Sequence, residues 1–146
     1  MKISAKGRYG LAAMACLAQN YAAGSPITII TISEKLGISK IYLEQVFALL
    51  KRAELVTSIK GAQGGYQLSC RPQDITAYDI LSAIELSLME KAASSTKWEE
   101  MDRAIEGSVY RPLDAAIEET LSHITVSDIL TAVERESTSE NLLYFI

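Results

Sequence analysis

The chain has 146 residues, of which 49% are apolar and 22% are charged, and its formal net charge is −4. This length suits one compact domain, or a small domain with a helical extension. No apolar run approaches the roughly 20 residues that cross a bilayer, and the first residues lack the layout of a signal peptide. We therefore expect a cytoplasmic protein with no membrane segment.

The charges divide unevenly along the chain. Residues 1–75 carry nine basic and four acidic groups, a net charge of +5, whereas residues 76–146 carry five basic and fourteen acidic groups, a net charge of −9. A polyanion would be attracted by one half and repelled by the other, which would orient the protein on nucleic acid. The alternative explanation of this charge distribution is that the protein is an ordinary enzyme with two differently charged, solvated faces.

In chain order, a first helix is predicted over about Ser4–Tyr21, ended by the breaker sequence Ala23–Pro26. The short β-branched run Ile27–Ile30 is predicted to be an extended strand that pairs with a later hairpin. A short helix that begins at Thr31 or Ile32 and includes Ser33–Leu36 is predicted to be the first helix of a helix-turn-helix.

A tight turn, Gly37–Ser39, precedes the next helix. Glycine supplies the backbone freedom of the corner, and Ser39 can cap the helix that follows. From Lys40 onward, apolar residues recur at helical spacing, and we expect them to form one face: Ile41, Leu43, Val46, Phe47, Leu49 and Leu50.

Two β-prone runs, Leu55–Ile59 and Tyr66–Leu68, are joined by the segment Lys60–Gly65, which contains three glycines. A helix with a polar exposed start, followed by a basic glycine-tipped hairpin, is the layout of a winged helix-turn-helix. Such a helix fits the major groove of DNA, and such a hairpin fits beside it.

The second half is predicted to be helical. Thr76–Glu85 begins with a capping box, in which Thr76 and Asp79 bond to each other's backbone. A loop is expected over Leu86–Trp98, and a helix over about Glu99–His123 with interruptions at Gly107 and Pro112.

A last helix is predicted over Thr125–Val133, followed by a polar linker, Ser137–Asn141, and an apolar tail, Leu142–Ile146. The helix before it has more apolar surface than a small monomer can cover. We therefore expect it to pair with its copy in a homodimer through Val109, Leu113, Ile117 and Leu121.

Residues of catalytic type are sparse. The chain has no phosphate-loop pattern, no dinucleotide-binding glycine motif, no metal-ligand spacing and no Ser/His/Asp arrangement, so we do not expect an enzyme. The single histidine, His123, is expected to be a solvated or capping residue. Cys16 lies in an apolar run that suggests packing, while Cys70 is a candidate packing or redox-sensitive thiol.

Several stretches resemble the Rrf-two (Rrf2) family of bacterial winged-helix transcription regulators: MKISAKGRYGL, ISEKLGIS, YLEQVF, LLKRAELVTSIKGAQGGYQL and ITAYDILSAIE. The resemblance implies a mainly α fold with a winged helix-turn-helix domain at residues 1–85. It also implies a sensor-region loop at 86–98, and a dimerisation helix, final helix and tail at 99–146. Such proteins bind partly palindromic double-stranded operators as homodimers. A protein–protein adaptor with the same fold is the alternative.

The resemblance also implies roles for individual residues. Glu44 and Gln45 are suited to reading base edges, and Lys60 is suited to a narrow minor groove. The whole set of implied DNA contacts, in which Arg52 is an alternative to Lys51, is Lys6, Arg8, Tyr9, Ser39, Lys40, Tyr42, Glu44, Gln45, Lys51, Lys60, Gly61, Gly64 and Gly65. For Tyr9 and Tyr42 plain packing is an equal alternative.

One departure from the family concerns the sensor. Cluster-binding members have three cysteines in the stretch that corresponds to Leu86–Tyr110, and this chain has none there. No cofactor is therefore expected. Either the protein is cluster-free and responds through a partner such as a cysteine-biosynthesis enzyme, or it is an engineered apo form in which Ala92, Ala93, Ala104 or nearby serines replace the cysteine ligands of a [2Fe–2S] parent.

Overall fold

The computed structural model describes residues 3–86, 90, 93 and 97–144, and for residues 142–144 it describes the backbone alone. The elements in these ranges are α1 (Ala5–Gln19), α2 (Ile29–Leu36), α3 (Lys40–Arg52), β1 (Val56–Ile59), β2 (Gly65–Leu68), a 3₁₀ turn (Pro72–Asp74), α4 (Ala77–Ile84), α5 (Glu99–Ile105), a π-helical segment (Glu106–Tyr110), α6 (Arg111–Ser122) and α7 (Val126–Tyr144). None of these helices is long and apolar enough to cross a membrane.

Helix α1 packs its glycine-containing face against α4. The Ser4 hydroxyl caps the helix by accepting a hydrogen bond from the Gly7 amide at 3.2 Å. A Cβ atom at Gly7 would overlap the Glu85 carboxylate, and one at Gly10 would overlap Ile84. These two glycines therefore allow the backbone of α1 to approach the end of α4.

The predicted strand Ile27–Ile30 is wrong beyond its first residue. Ile27 forms a single antiparallel bridge with Tyr66, with N···O distances of 2.9 and 2.7 Å. The Thr28 side chain then accepts a hydrogen bond from the Thr31 amide and starts α2. This cap, together with the burial of Ile32, overrides the β preference of the isoleucines.

The turn between α2 and α3 is confirmed. Gly37 has a left-handed φ of 67°, and its amide bonds to the Ser33 carbonyl at 2.9 Å. The Ser39 hydroxyl caps α3 by accepting a hydrogen bond from the Tyr42 amide at 3.2 Å. A glycine corner and a serine cap thus fix the direction in which α3 leaves α2.

Helix α3 buries one face completely, through Leu43, Val46, Phe47 and Leu50. The predicted apolar face is wrong for Ile41, which is 71% exposed. Ile41 precedes Leu43 by two residues, or about 200° around the helix, and so points to the other side.

The wing is a two-stranded antiparallel hairpin in which Val56 pairs with Leu68 and Ile59 with Gly65. Gly65 has a φ of 149°, and a Cβ atom there would lie 2.5 Å from the Ile27 carbonyl oxygen. A Cβ atom at Gly64 would overlap the Ile59 carbonyl. Both glycines are therefore required by the hairpin and its bridge to Ile27, because any side chain would strike backbone.

The hydrophobic core joins the first half of the chain to the last helix. It contains residues from α1 to α4 and both strands, and also Val126 at the start of α7. The segment before α7 is held by backbone hydrogen bonds from Ala77 to Ile124 at 2.7 Å and from Val126 to Ile75 at 2.8 Å. The predicted division at residues 85 and 98 remains a prediction, while the start of α7 shares the core of the winged helix.

Two predictions about the second half are wrong. The interruptions at Gly107 and Pro112 do not occur, because a π-helical segment carries the helix through Gly107 and α6 places Pro112 in its first turn. The polar linker Ser137–Asn141 is also helical, since α7 runs on to Tyr144. The Thr138 hydroxyl bonds to the Glu134 carbonyl at 2.9 Å and so is satisfied within the helix. The tail beyond Tyr144 lies outside the described residues.

A matched pair of substitutions tests the two faces of α3. Leu43→Ala should lower the free energy of unfolding by about 2–5 kcal/mol, because it leaves a cavity in the core. Ile41→Ala should change it by less than about 0.5 kcal/mol, because the side chain is exposed. Urea denaturation at one fixed protein concentration measures both. Equal losses for the two variants would contradict the assignment of the faces.

Candidate nucleic-acid interface

The outward face of α3 presents groups that can read DNA bases. Its exposed residues follow helical spacing, at Ile41, Glu44, Gln45, Ala48 and Arg52. A carboxylate can accept a hydrogen bond from the cytosine amino group, and an amide can bond to adenine in two places. Lys40 lies 3.9 Å from Glu44 in an exposed ion pair, which contributes little to stability.

The start of α1 lies beside the start of α3. The Tyr9 and Tyr42 rings meet edge to face, with centroids 5.2 Å apart and planes at 81°. Both rings are half-buried against the core, so they pack within the protein, and a contact of Tyr9 or Tyr42 with DNA stays a prediction. In the same first turns of α1, Arg8 is exposed and Lys6 is half-buried.

The wing carries an exposed cation. Lys60 is exposed and directly follows β1, and Gly61 has a φ of 110° with open space around its Cα. Gly64 and Gly65 have structural roles within the hairpin, as described above. Lys51 and Arg52 are exposed in the last turn of α3. A positive charge there also stabilises the helix through its interaction with the negative end of the helix dipole.

The predicted dimerisation residues fall into two groups. Val109 and Leu113 are 51% and 53% exposed, while Ile117 and Leu121 are half-buried. None of the residues of α6 is fully buried. Three further apolar side chains are exposed in the same stretch and were not among the predicted dimerisation residues: Trp98, Met101 and Tyr110. The sequence does indicate them, because apolar residues recur at helical spacing on both sides of the expected break at Gly107.

The stretch Leu86–Tyr110 lacks the thiolate donors that an iron–sulfur cluster requires. Among the described residues, no group of three or more His, Cys, Asp or Glu side chains is placed to hold a metal ion. Leu86–Tyr110 contains no cysteine, and cluster iron is held by thiolates. The residues present therefore do not fit a cluster. Ala93 and Ala104 are exposed, and Ala92 lies outside the described residues.

The two cysteines occupy different environments. Cys16 is buried in α1, and desolvation raises the pKa of its thiol against the opposing effect of Lys35. A raised pKa keeps the thiol protonated and weakly nucleophilic, which agrees with the predicted packing role. Cys70 is exposed after β2. His123 is exposed at the end of α6, with Nδ1 2.6 Å from the Glu119 carbonyl oxygen, so it is a capping residue.

Comparison with known proteins identifies the family. Residues 3–132 match Rrf2, which is described as an iron-dependent transcriptional regulator. The chain belongs to the Rrf2 family. The transcriptional regulator IscR of Aliivibrio salmonicida is 33% identical over 96% of this chain and 83% of its own length. The regulator CymR of Bacillus subtilis is 34% identical over the full length of both chains.

Solved structures agree with the Rrf2 assignment. The structure of CymR, titled the global cysteine regulator of B. subtilis, matches with a TM-score of 0.74 and 32% identity, covering 90% of this chain and 98% of CymR. The structure of T. potens IscR matches with a TM-score of 0.73 and 38% identity, covering 93% and 90% of the two chains. The expected mainly α winged-helix fold and Rrf2 membership are therefore confirmed. These relatives are transcriptional regulators by name.

A substitution at the wing tests its part in DNA binding. Lys60→Ala should weaken operator binding by about 1–3 kcal/mol if the side chain enters the minor groove, and it should reduce the salt dependence of log K by about one unit. Arg135→Ala, which removes an exposed cation from the acidic half, is the matched control and should change neither quantity. Fluorescence anisotropy at several salt concentrations measures both variants. Unchanged affinity for Lys60→Ala would remove the wing from the interface.

Proposed function

We propose that this Rrf2 protein is a sequence-specific transcriptional regulator that binds a partly palindromic DNA operator as a homodimer. The observation that carries the proposal is the division of α3, whose apolar face is fully buried while Glu44 and Gln45 point outward. Burial fixes the helix against the core, and its free face carries donors and acceptors suited to base edges. The net charge of +5 in residues 1–75 supplies attraction to phosphate.

In the proposed complex each part of the interface has its own task. Helix α3 enters the major groove, where Glu44 accepts from cytosine and Gln45 pairs with adenine. Lys60 enters the neighbouring minor groove, where a narrow groove concentrates negative potential. The start of α1, with Lys6 and Arg8, contacts phosphates and sets the register of the protein on the duplex.

The homodimer is proposed from the exposed apolar face of the α5–α6 stretch. Apolar patches that a monomer leaves open are typical of interfaces between subunits. Pairing this face with its copy about a two-fold axis would cover Val109 and Leu113 and set two α3 helices about 34 Å apart, one turn of DNA.

The regulated genes and the signal are proposed from the relatives. IscR and CymR point to iron–sulfur cluster assembly or to cysteine and sulfur metabolism. Because the donor set does not fit a cluster, we propose cluster-free regulation, with a cysteine-biosynthesis enzyme as a candidate partner. The alternative is that this chain is an engineered apo form of a parent protein. In that parent, cysteines at positions such as 92, 93 and 104 would hold a [2Fe–2S] cluster.

Anaerobic purification tests whether this chain holds a cluster. A cluster-free regulator should be colourless and contain no stoichiometric iron or sulfide, and it should still bind its operator. Brown protein with bound iron and sulfide would contradict the proposal.

A protein–protein adaptor is the second candidate, since winged helices also bind proteins. The basic first half favours DNA over this candidate. Titration of duplex DNA at several salt concentrations discriminates between the two, because DNA affinity that depends on phosphate contacts falls as salt rises.

Glu44→Ala tests whether α3 reads bases. The variant should lose discrimination at one or two base positions, while binding to unrelated DNA stays the same or tightens, because a negative charge near phosphate is removed. Competition binding with single-base operator variants measures the effect. An equal loss on all sequences would make Glu44 a structural residue.

Ile117→Asp tests the dimer. A charge on the apolar face of α6 should give a monomeric or insoluble chain that loses specific DNA binding. Ala115→Asp places the same charge on an exposed position two residues away, on the other side of α6, and should remain dimeric. Sedimentation at micromolar concentration measures both variants. A monomeric wild type that still binds a palindromic site as a single unit would overturn the dimer.

A further inference from the structure

The outward face of α3 carries one large apolar side chain that the core does not use. Ile41 is 71% exposed, the largest exposed fraction of any large apolar side chain in the described part of the protein. Four other apolar residues of the same helix, Leu43, Val46, Phe47 and Leu50, are fully buried. Ile41 is therefore left outside by the geometry of the helix, although neighbouring apolar residues of α3 are covered.

The position of Ile41 relative to the proposed base-reading residues is fixed by the helix. Glu44 and Gln45 follow Ile41 by three and four residues, so the three side chains lie on the same face. Ile41 is also the second residue of α3, in the first turn. In helix-turn-helix proteins the first residues of the second helix are the ones that reach base edges.

Stability gives no reason for isoleucine at this position. A β-branched side chain is a poorer helix former than Ala, Lys or Glu, and an exposed side chain gains little from burial. An apolar group does have a partner in the major groove, however. The 5-methyl group of thymine is the apolar group that bases present there, and its contact with apolar side chains distinguishes thymine from the other bases.

We infer that Ile41 is a specificity-determining residue that packs against the 5-methyl group of a thymine next to the bases read by Glu44 and Gln45. The inference rests on the proposed DNA-binding function and deepens it by naming one base of each half-site. Isoleucine has no donor or acceptor, so it cannot satisfy the polar edge of cytosine, and it loses contact area when thymine is replaced by uracil.

The test uses the single methyl group that separates thymine from uracil. Full-length wild-type protein is first used to select its operator from a random duplex pool. Each thymine of the selected duplex is then replaced by uracil, one position per half-site at a time, and affinity is measured by fluorescence anisotropy at fixed salt. At one position the wild type should bind the uracil duplex about three- to fivefold more weakly per half-site, as expected for one buried methyl group.

The Ile41→Ala variant should bind the thymine and uracil duplexes at that position with equal affinity. Ile30→Ala is the matched control, because Ile30 is also an exposed isoleucine, 53% exposed, but lies on α2. This control should retain the preference of the wild type for thymine. The comparison between two duplexes for each variant also removes any general effect of the substitution on folding.

Three results would count against the inference or its basis, and they are distinguishable. A wild type that binds the selected operator specifically but ignores every uracil substitution would overturn the role of Ile41 alone. An Ile41→Ala variant that keeps the preference for thymine would assign the methyl contact to another residue and also overturn it. Selection that recovers no common sequence would overturn the proposed function itself.

Discussion

The burial of one face of α3 is the constraint on which the rest of the structure depends. Leu43, Val46, Phe47 and Leu50 lock the helix against α1, α4 and the wing, and the Phe47 and Tyr66 rings, with centroids 4.6 Å apart, connect the helix to β2. With that face fixed, the rotation of the helix is fixed, and so is the identity of every side chain that it offers to a partner. The packing of the core therefore decides which side chains of α3 are exposed on the candidate interface.

The same core determines where the other parts of the interface stand. The bridge between Ile27 and Tyr66 ties the hairpin to the start of α2, and the Tyr9–Tyr42 contact ties α1 to α3. Val126 joins the final helix to this unit, while the α5–α6 stretch leaves its apolar face open. The positions of α1, the hairpin and the start of α7 relative to α3 thus follow from a single packed centre.

Much of this arrangement was predictable from the sequence because it depends on local signals. The Gly37–Ser39 corner, the α3 periodicity, the glycine-rich hairpin and the Thr76–Asp79 capping box each have a physical cause within a few residues, and all appear in the structure. The secondary-structure predictions that were wrong concern segments in which another local or tertiary effect outweighs the intrinsic preference of the residues. A threonine cap made the β-branched residues after Thr28 helical in α2, and a π-helical segment continued the helix through Gly107. Helix α7 runs on through the polar stretch Ser137–Asn141, which contains neither glycine nor proline. Ile41 is exposed because it lies about 200° around α3 from Leu43, although apolar character alone assigns both residues to one face.

The central claim is that α3 reads the major groove in two half-sites of one operator. Selection from a random duplex pool, followed by methylation protection of the selected site, tests it most directly, because dimethyl sulfate reports guanine N7 in the major groove and adenine N3 in the minor groove. We expect protected guanine N7 atoms in two clusters about 10 base pairs apart on one face of the duplex. Protection confined to the minor groove, or the absence of an enriched sequence, would contradict it.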